Sequence, residues 1–347
     1  MADTSKDQKE GTPSTSGAGV ASYSFSNDST TYLQTIMGGI ALLAFLVIWM
    51  LSLLSPFLLY ASIHYEQYII LSVIILALTC AYVPWEKGVV SKAGTAFARK
   101  NPHYYKKCIT VFKGTSLPES NGSDAKKENK PKLYGVHPHG AFCLGWSVLF
   151  CSPLMTSVRF VFSPALFASP FFRLWCRLTG KPGSADKASM IKYMKRGEHL
   201  AIPPGGFEEA TLSSPNHDRV YIKKRAGFIK LALQHGYSVV PTYVFGENKT
   251  YLNVQGGWKA RLKLNSFGVP AIMVYGFSVL PLLPRRHKHG LFIVAGDPLE
   301  LPKIENPSRE EVKLWHDRYI AALVKIFDDH KCDAYGEEGK TKKMELW

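Results

Sequence analysis

From Met37 to Ile63 the chain carries no charged side chain, and Ile40–Leu54 is almost continuously apolar. About 20 such residues in a helix cross the hydrocarbon core of a bilayer, and a helix apolar all round has no face to offer water. A second uncharged run, Tyr68–Pro84, is shorter and rich in Ile and Leu. Between them lie His64, Glu66 and Gln67, a polar break without Lys or Arg. The pattern predicts a transmembrane helical hairpin over 32–84, with spans near 36–59 and 68–84. The competing reading is a single kinked or re-entrant segment broken at Pro56.

Charge orients the hairpin. Lys87, Lys92, Arg99, Lys100, Lys106, Lys107 and Lys113 follow it closely, so the positive-inside bias places both termini in the cytosol. Met1–Thr31 is rich in Ser, Thr, Gly and Asp and has few large apolar residues. Such a segment buries too little surface to offset its ordering entropy, so residues 1–31 are expected to form a disordered tail. It lacks the basic patch and short apolar core of a secretory signal. The formal net charge of +15 suits polyanions such as anionic lipid or phosphate-bearing cofactors. Nucleic acid is not expected as a partner, because the basic residues are not interleaved with an aromatic stacking surface. The six cysteines form no CxxC pair and read as free thiols in a reducing compartment.

Residues 85–347 read as a cytosolic domain. Strands are predicted at Lys132–Val136, His199–Pro203, Tyr237–Phe245 and Gly290–Ala295, with a short apolar stretch at Phe160–Phe167. Helices are predicted at Lys187–Arg196 and at Gly227–His235, the latter ended by Gly236. A third, Ser308–Lys331, opens on a Ser308/Glu311 capping box and sets Val312, Trp315, Tyr319, Leu323, Ile326 and Phe327 along one face. Ser116–Pro131 is polar and lysine-rich, an expected exposed loop. The alternation predicts an α/β fold with a mixed or parallel β-sheet flanked by helices.

Three segments carry candidate chemistry. Tyr134-Gly-Val-His-Pro-His-Gly140 puts two imidazoles at a strand end. Histidine suits general-base work because its neutral form is available at cytosolic pH. Pro138 restricts the turn and Gly140 permits close backbone approach. A helix beginning just after Gly140 would offer free N–H groups to a developing oxyanion. Alone, such a pair is structural more often than catalytic, and without a nearby Cys or Asp it makes a poor metal site. Pro203-Pro-Gly-Gly-Phe-Glu-Glu-Ala210 follows a predicted strand and offers Gly205, Gly206, Glu208 and Glu209 to a ligand or a histidine. Alone it reads as a tight turn with solvated carboxylates. Lys223, Lys224 and Arg225 precede a helix and could bind phosphate; alone they read as a solvated basic turn. The apolar run Val269–Leu283 either lines a lipid entry or forms a buried strand pair.

Together the segments carry a resemblance that none carries singly. From the hairpin to about Lys331 the chain resembles the type-2 diacylglycerol acyltransferase family, which also contains monoacylglycerol acyltransferases and some wax-ester synthases. Tyr134–Gly140 looks like its HPHG motif and Gly205-Gly-Phe-Glu-Glu-Ala210 like its GGxxEA motif. Arg225–Gly236, Val240–Asn248, Leu283–Arg286, Gly296-Asp-Pro298 and the final helix with His316 and Tyr319 extend the match. The resemblance implies His139 as the catalytic residue, His137 as essential for geometry, acyl-CoA as a substrate rather than a cofactor, and diacylglycerol as acceptor. A monoacylglycerol or a long-chain alcohol is the alternative acceptor, and a non-catalytic lipid-binding scaffold the distant alternative. It further implies the endoplasmic reticulum membrane, the lipid-droplet surface and a possible homo-oligomer.

Two departures stand out. Glycerolipid acyltransferases of the broader superfamily place an Asp five residues after the catalytic His; here Leu144 follows His139 by that spacing and Phe142 follows His137. Glu209 is therefore the expected orienting group. The Pro203-Pro-Gly205 lead-in and the lysine-rich insert Ser123–Lys132 also differ from the family pattern.

Overall fold

A computed structural model describes the chain except for residues 1–12, 17–19, 28, 84–88, 119–129, 180–181 and 270. Most of the Ser116–Pro131 loop and of the lysine-rich insert therefore lies outside the described residues.

The N-terminal strands are β1 (Pro13–Ser16) and β2 (Val20–Ser26). Helices α1 (Tyr32–His64), α2 (Tyr68–Tyr82) and α3 (Val89–Ala98) follow. Next come β3 (Cys108–Phe112), β4 (Lys132–His137), α4 (Leu144–Cys151) and β5 (Val158–Phe162). The chain continues through α5 (Pro164–Ala168), α6 (Pro170–Thr179), β6 (Pro182–Ser184), α7 (Lys187–Lys195) and β7 (His199–Ile202). Then follow α8 (Gly206–Leu212), β8 (Asp218–Val220), α9 (Gly227–His235) and β9 (Ser238–Phe245). The last third holds β10 (Leu252–Asn253), α10 (Trp258–Ser266), β11 (Val274–Tyr275), β12 (Leu291–Ala295) and β13 (Leu299–Glu300). Helix α11 (Arg309–Tyr335) and β14 (Met344–Leu346) complete it.

The main sheet has ten strands in the order β1-β2-β3-β12-β9-β4-β7-β5-β6, with β13 beside β9. It is mixed: β4 runs parallel to β7 and β9, whereas β12 meets β9 antiparallel. Every residue of β4 and β9 is buried, which fits strands covered on both faces. The predicted capping box at Ser308 and Glu311 forms, and Tyr319, Leu323, Ile326 and Phe327 of α11 pack under the sheet. Helix α9 ends as expected on Gly236 at φ 71.

The disordered tail is corrected over its second half. Strand β2 pairs antiparallel with β3, and Ala21, Ser22, Ser24, Phe25 and Ser26 are buried there. A strand built of small residues joins a sheet through its backbone, so polar composition did not prevent it.

The hairpin is corrected too. Helix α1 runs unbroken through Pro56, and it is the one described helix long and apolar enough to cross a membrane. Helix α2 has 15 residues. It reaches about 22 Å at 1.5 Å per residue, short of the roughly 30 Å hydrocarbon core. The multi-pass expectation is thus reduced to one helix of spanning length and one shorter apolar helix beside it.

The two helices divide their surfaces differently. On α1, Gly38, Ala41, Leu42, Phe45, Leu46 and Trp49 form a buried stripe at helical spacing. Gly38 admits the turn at Tyr104, since a Cβ there would lie 2.5 Å from the Tyr104 amide. Phe45 packs on Phe172 and Trp175 of α6. Beyond that stripe Leu53, Leu54, Phe57, Leu59 and Ile63 are exposed, as are Ile69, Val73, Ile75 and Leu76 on α2. A contiguous apolar surface of this kind suits lipid rather than water. The end of α2 returns to the domain, where Arg177 donates to the carbonyls of Cys80, Ala81 and Val83. These are orphan carbonyls of a helix terminus.

Candidate active site

The site lies at the carboxyl end of β4, where the parallel strands of an open sheet leave a crevice. His137 is the last residue of β4, and the turn that follows carries Pro138, His139 and Gly140, all buried. The His137–Pro138 peptide is cis. Strand β7 ends alongside at Ile202, and Pro203–Gly205 lead from it into α8. The first two motifs thus meet because their strands are neighbours.

Glu209 is the hub. Its carboxylate is buried and accepts three N–H groups. Oε1 lies 3.0 Å from His137 Nδ1 and 3.0 Å from the Tyr221 amide nitrogen. Oε2 accepts the His139 main-chain N–H at 2.6 Å. Space for this carboxylate comes from Gly205, where a Cβ would lie 2.3 Å from Glu209 Cδ. Glu209 was expected to orient the catalytic imidazole; its carboxylate meets the ring of His137 instead, and at His139 it holds only the backbone.

The His139 ring is set locally. Its Nδ1 lies 2.8 Å from the Gly140 carbonyl oxygen. A carbonyl only accepts, so Nδ1 carries the hydrogen and Nε2 keeps its lone pair. Burial lowers the pKa of His139, opposed by the Gly140 carbonyl and the charges of Glu209 and Glu208. The neutral form is favoured, which is the form a base needs. His137 is buried, with Tyr319 6.1 Å from its ring centre. Tyr319 donates to the Gly135 carbonyl at 3.1 Å, and a Cβ at Gly135 would strike its hydroxyl.

His139 opens on a cavity of about 700 Å³. Ile202, Phe207, Phe228 and Leu231 give it apolar walls, and Glu208, Arg225, Asn265 and Ser266 supply polar groups. Arg225 pairs with Glu208 across the cavity wall. Gly206, at φ 57, also lines it. Of the three basic residues expected to bind phosphate, only Arg225 is in the wall; Lys223 and Lys224 are exposed on the turn before α9. That turn is fastened from behind, because the Trp347 carbonyl accepts from Ile222 and Lys223 N–H.

One expectation fails here, and one of two open readings is set aside. The helix after Gly140 does form, but the N–H groups of Leu144 and Gly145 are taken by Glu247 at 3.0 and 2.7 Å, so this end of α4 is closed to an oxyanion. Of the two readings of Val269–Leu283 the buried strand pair does not form: among its described residues only β11 is regular, it pairs with the short β10, and Val269, Met273, Phe277, Val279 and Leu280 are exposed. Tyr221 had no signal as a site residue, and Gly135 and Glu247 lay within matched segments without a role of their own. Among the described residues no group of His, Cys, Asp or Glu is placed to hold a metal ion.

The diacylglycerol acyltransferase family model matches residues 67–345, which include the β4 turn and the Glu209 hub. The chain belongs to the diacylglycerol acyltransferase family. The chain is 35% identical to human acyl-CoA wax alcohol acyltransferase 1 over 64% of its own length and 70% of the relative's. It is 33% identical to mouse diacylglycerol O-acyltransferase 2 over 57% of its length and 56% of the relative's. It is 30% identical to bovine 2-acylglycerol O-acyltransferase 1 over 57% and 65%. The chain thus spans little more than half the length of the mouse relative. No solved structure matches it.

Proposed function

We propose that this acyltransferase makes triacylglycerol from diacylglycerol and acyl-CoA, with His139 as general base. The observation that carries the reading is the buried His139 ring, held on the Gly140 carbonyl and lining a cavity of about 700 Å³. In the proposed step Nε2 takes the proton of the acceptor hydroxyl as its oxygen attacks the thioester carbonyl carbon. The C–S bond breaks, and the imidazolium returns the proton to the departing CoA thiolate. No acyl-enzyme is required. Arg225, with Lys223 and Lys224 on the same turn, would hold the CoA phosphates by charge and hydrogen bonds. Asn265, Ser266 and Gly268 line the cavity, and Val269, Met273, Phe277, Val279 and Leu280 close after them in the chain are exposed, which supports acceptor entry from the lipid side. The reading carries with it the endoplasmic reticulum membrane, with the domain on the cytosolic side.

A long-chain alcohol is the second reading, favoured by the 35% identity to a wax alcohol acyltransferase. The test is an acceptor panel on membranes from a host lacking neutral-lipid synthesis, given labelled acyl-CoA with diacylglycerol, monoacylglycerol or a long-chain alcohol. Triacylglycerol is the expected main product; a larger wax-ester or diacylglycerol product assigns the other acceptor.

The base reading also fixes a pH dependence. A base whose pKa is lowered is already deprotonated at and below the ordinary imidazole midpoint of about 6.5. The acid limb of kcat/KM is expected to lie below that value, with activity level above it. A limb at or above the ordinary midpoint contradicts a desolvated His139 as the base.

A further inference from the structure

We infer that Glu247 is a positioning residue for His139, acting through Gly140 and the first turn of α4. The inference rests on the reading of His139 as base. Glu247 lies one residue beyond the end of β9, after Gly246, and its side chain is buried, 1% exposed. Its two oxygens accept from separate amides, Oε1 from Leu144 and Oε2 from Gly145. The same side chain packs against the catalytic turn, in space that only a glycine leaves open: a Cβ at Gly140 would lie 2.2 Å from Glu247 Oε1. Gly140 holds φ 61, and its carbonyl accepts the Nδ1–H of His139. A continuous path of contacts therefore runs from Glu247 to Gly140 to the base.

Two acidic side chains hold the turn. Glu209 holds the His139 amide, and Glu247 packs against Gly140. Neither reaches the His139 ring, so both act on its aim rather than on the proton itself. Burial pushes the Glu247 carboxyl up to about 8, with the two amides opposing that rise and Glu209 adding to it. Tyr105, Tyr251 and Cys143 are the other titratable groups around it. Protonated or not, a carboxyl keeps a lone pair on each oxygen for the two amides; glutamine is close in shape but cannot copy this, since its NH2 would face one of the two amide hydrogens.

The test is Glu247→Gln in the full-length membrane protein, with kcat, KM and the pH profile measured for labelled acyl-CoA and diacylglycerol. The kcat is expected to fall on the order of tenfold or more as the ring loses its aim. KM for acyl-CoA is expected to stay within about twofold, because the clamp touches neither substrate. Loosening Gly140 weakens the acceptor that favours protonated His139, so the acid limb is expected to move down by about half a pH unit or more. Unchanged kcat, or a loss equal at every pH with the limb unmoved, overturns the inference. Glu247→Asp keeps two acceptor oxygens and should regain part of the kcat; it carries the same profile test if the Gln variant does not accumulate. A His139→Ala variant with full activity would instead defeat the base reading. Inactive His139→Ala beside a wild-type profile for Glu247→Gln defeats this inference alone.

Discussion

His139→Ala is expected to remove acyl transfer from membranes while the protein still accumulates. A positioned base contributes on the order of 10²–10⁴-fold, and such a loss takes triacylglycerol formation to background. Accumulation is expected because the ring makes one short-range bond, to the neighbouring Gly140 carbonyl, and the turn is held by main-chain contacts that alanine retains. Labelled acyl-CoA turnover, normalised to immunoblot signal, reads both. Full activity in this variant would remove His139 from the chemistry.

Glu209→Gln is expected to show the second-largest loss, with a different signature. The carboxylate satisfies three donors at once, from His137, His139 and Tyr221. Glutamine turns one acceptor into a donor and leaves at least one buried N–H facing another. Each orphaned buried donor costs about 1–3 kcal/mol, so the melting temperature should fall as well as the rate. Misplacement of a base by roughly 1 Å can cost on the order of 10²-fold, and the His139 amide is among the groups released. Differential scanning fluorimetry in detergent, run beside the acyl transfer assay, separates this from His139→Ala, whose melting temperature should hold. A Glu209→Gln protein with wild-type rate and stability would show that the hub is dispensable.

These two residues mark how far the sequence could be read. Helices α9 and α11 were legible because their ends carry local chemistry: Gly236 at a left-handed terminus, and Ser308 with Glu311 at a capped one. Strands β4 and β7 were legible as short apolar runs, and their parallel pairing made the contact between the His137 turn and Glu209 possible. The division of labour was not legible. Glu209 and His137 are 72 residues apart, and nothing local says that the carboxylate meets the ring of one histidine and the amide of another. Glu247 lay further out of sight, 103 residues from the amide it caps. Strand β2 was missed for another reason. Its serines are buried in a strand held between β1 and β3, where backbone pairing does what side-chain hydrophobicity does elsewhere, so composition is blind to it.

The stripe on α1 has a consequence for anyone preparing this protein. Leu42, Phe45 and Trp49 share one cluster with Ala141, Phe142 and Leu144, and the Trp49 ring stands 5.9 Å from that of Phe142, three residues past His139. A soluble fragment made by cutting the chain after residue 64 would therefore lose more than its tether. Burying each large apolar side chain is worth roughly 1.5–3 kcal/mol, and a whole domain holds only about 5–15 kcal/mol in reserve. Shaving off the anchor would unroof the interior beside the reactive turn and leave a sticky apolar face where the helix had been. Purification strategy should keep the helix and shield its outer half with detergent or nanodisc lipid.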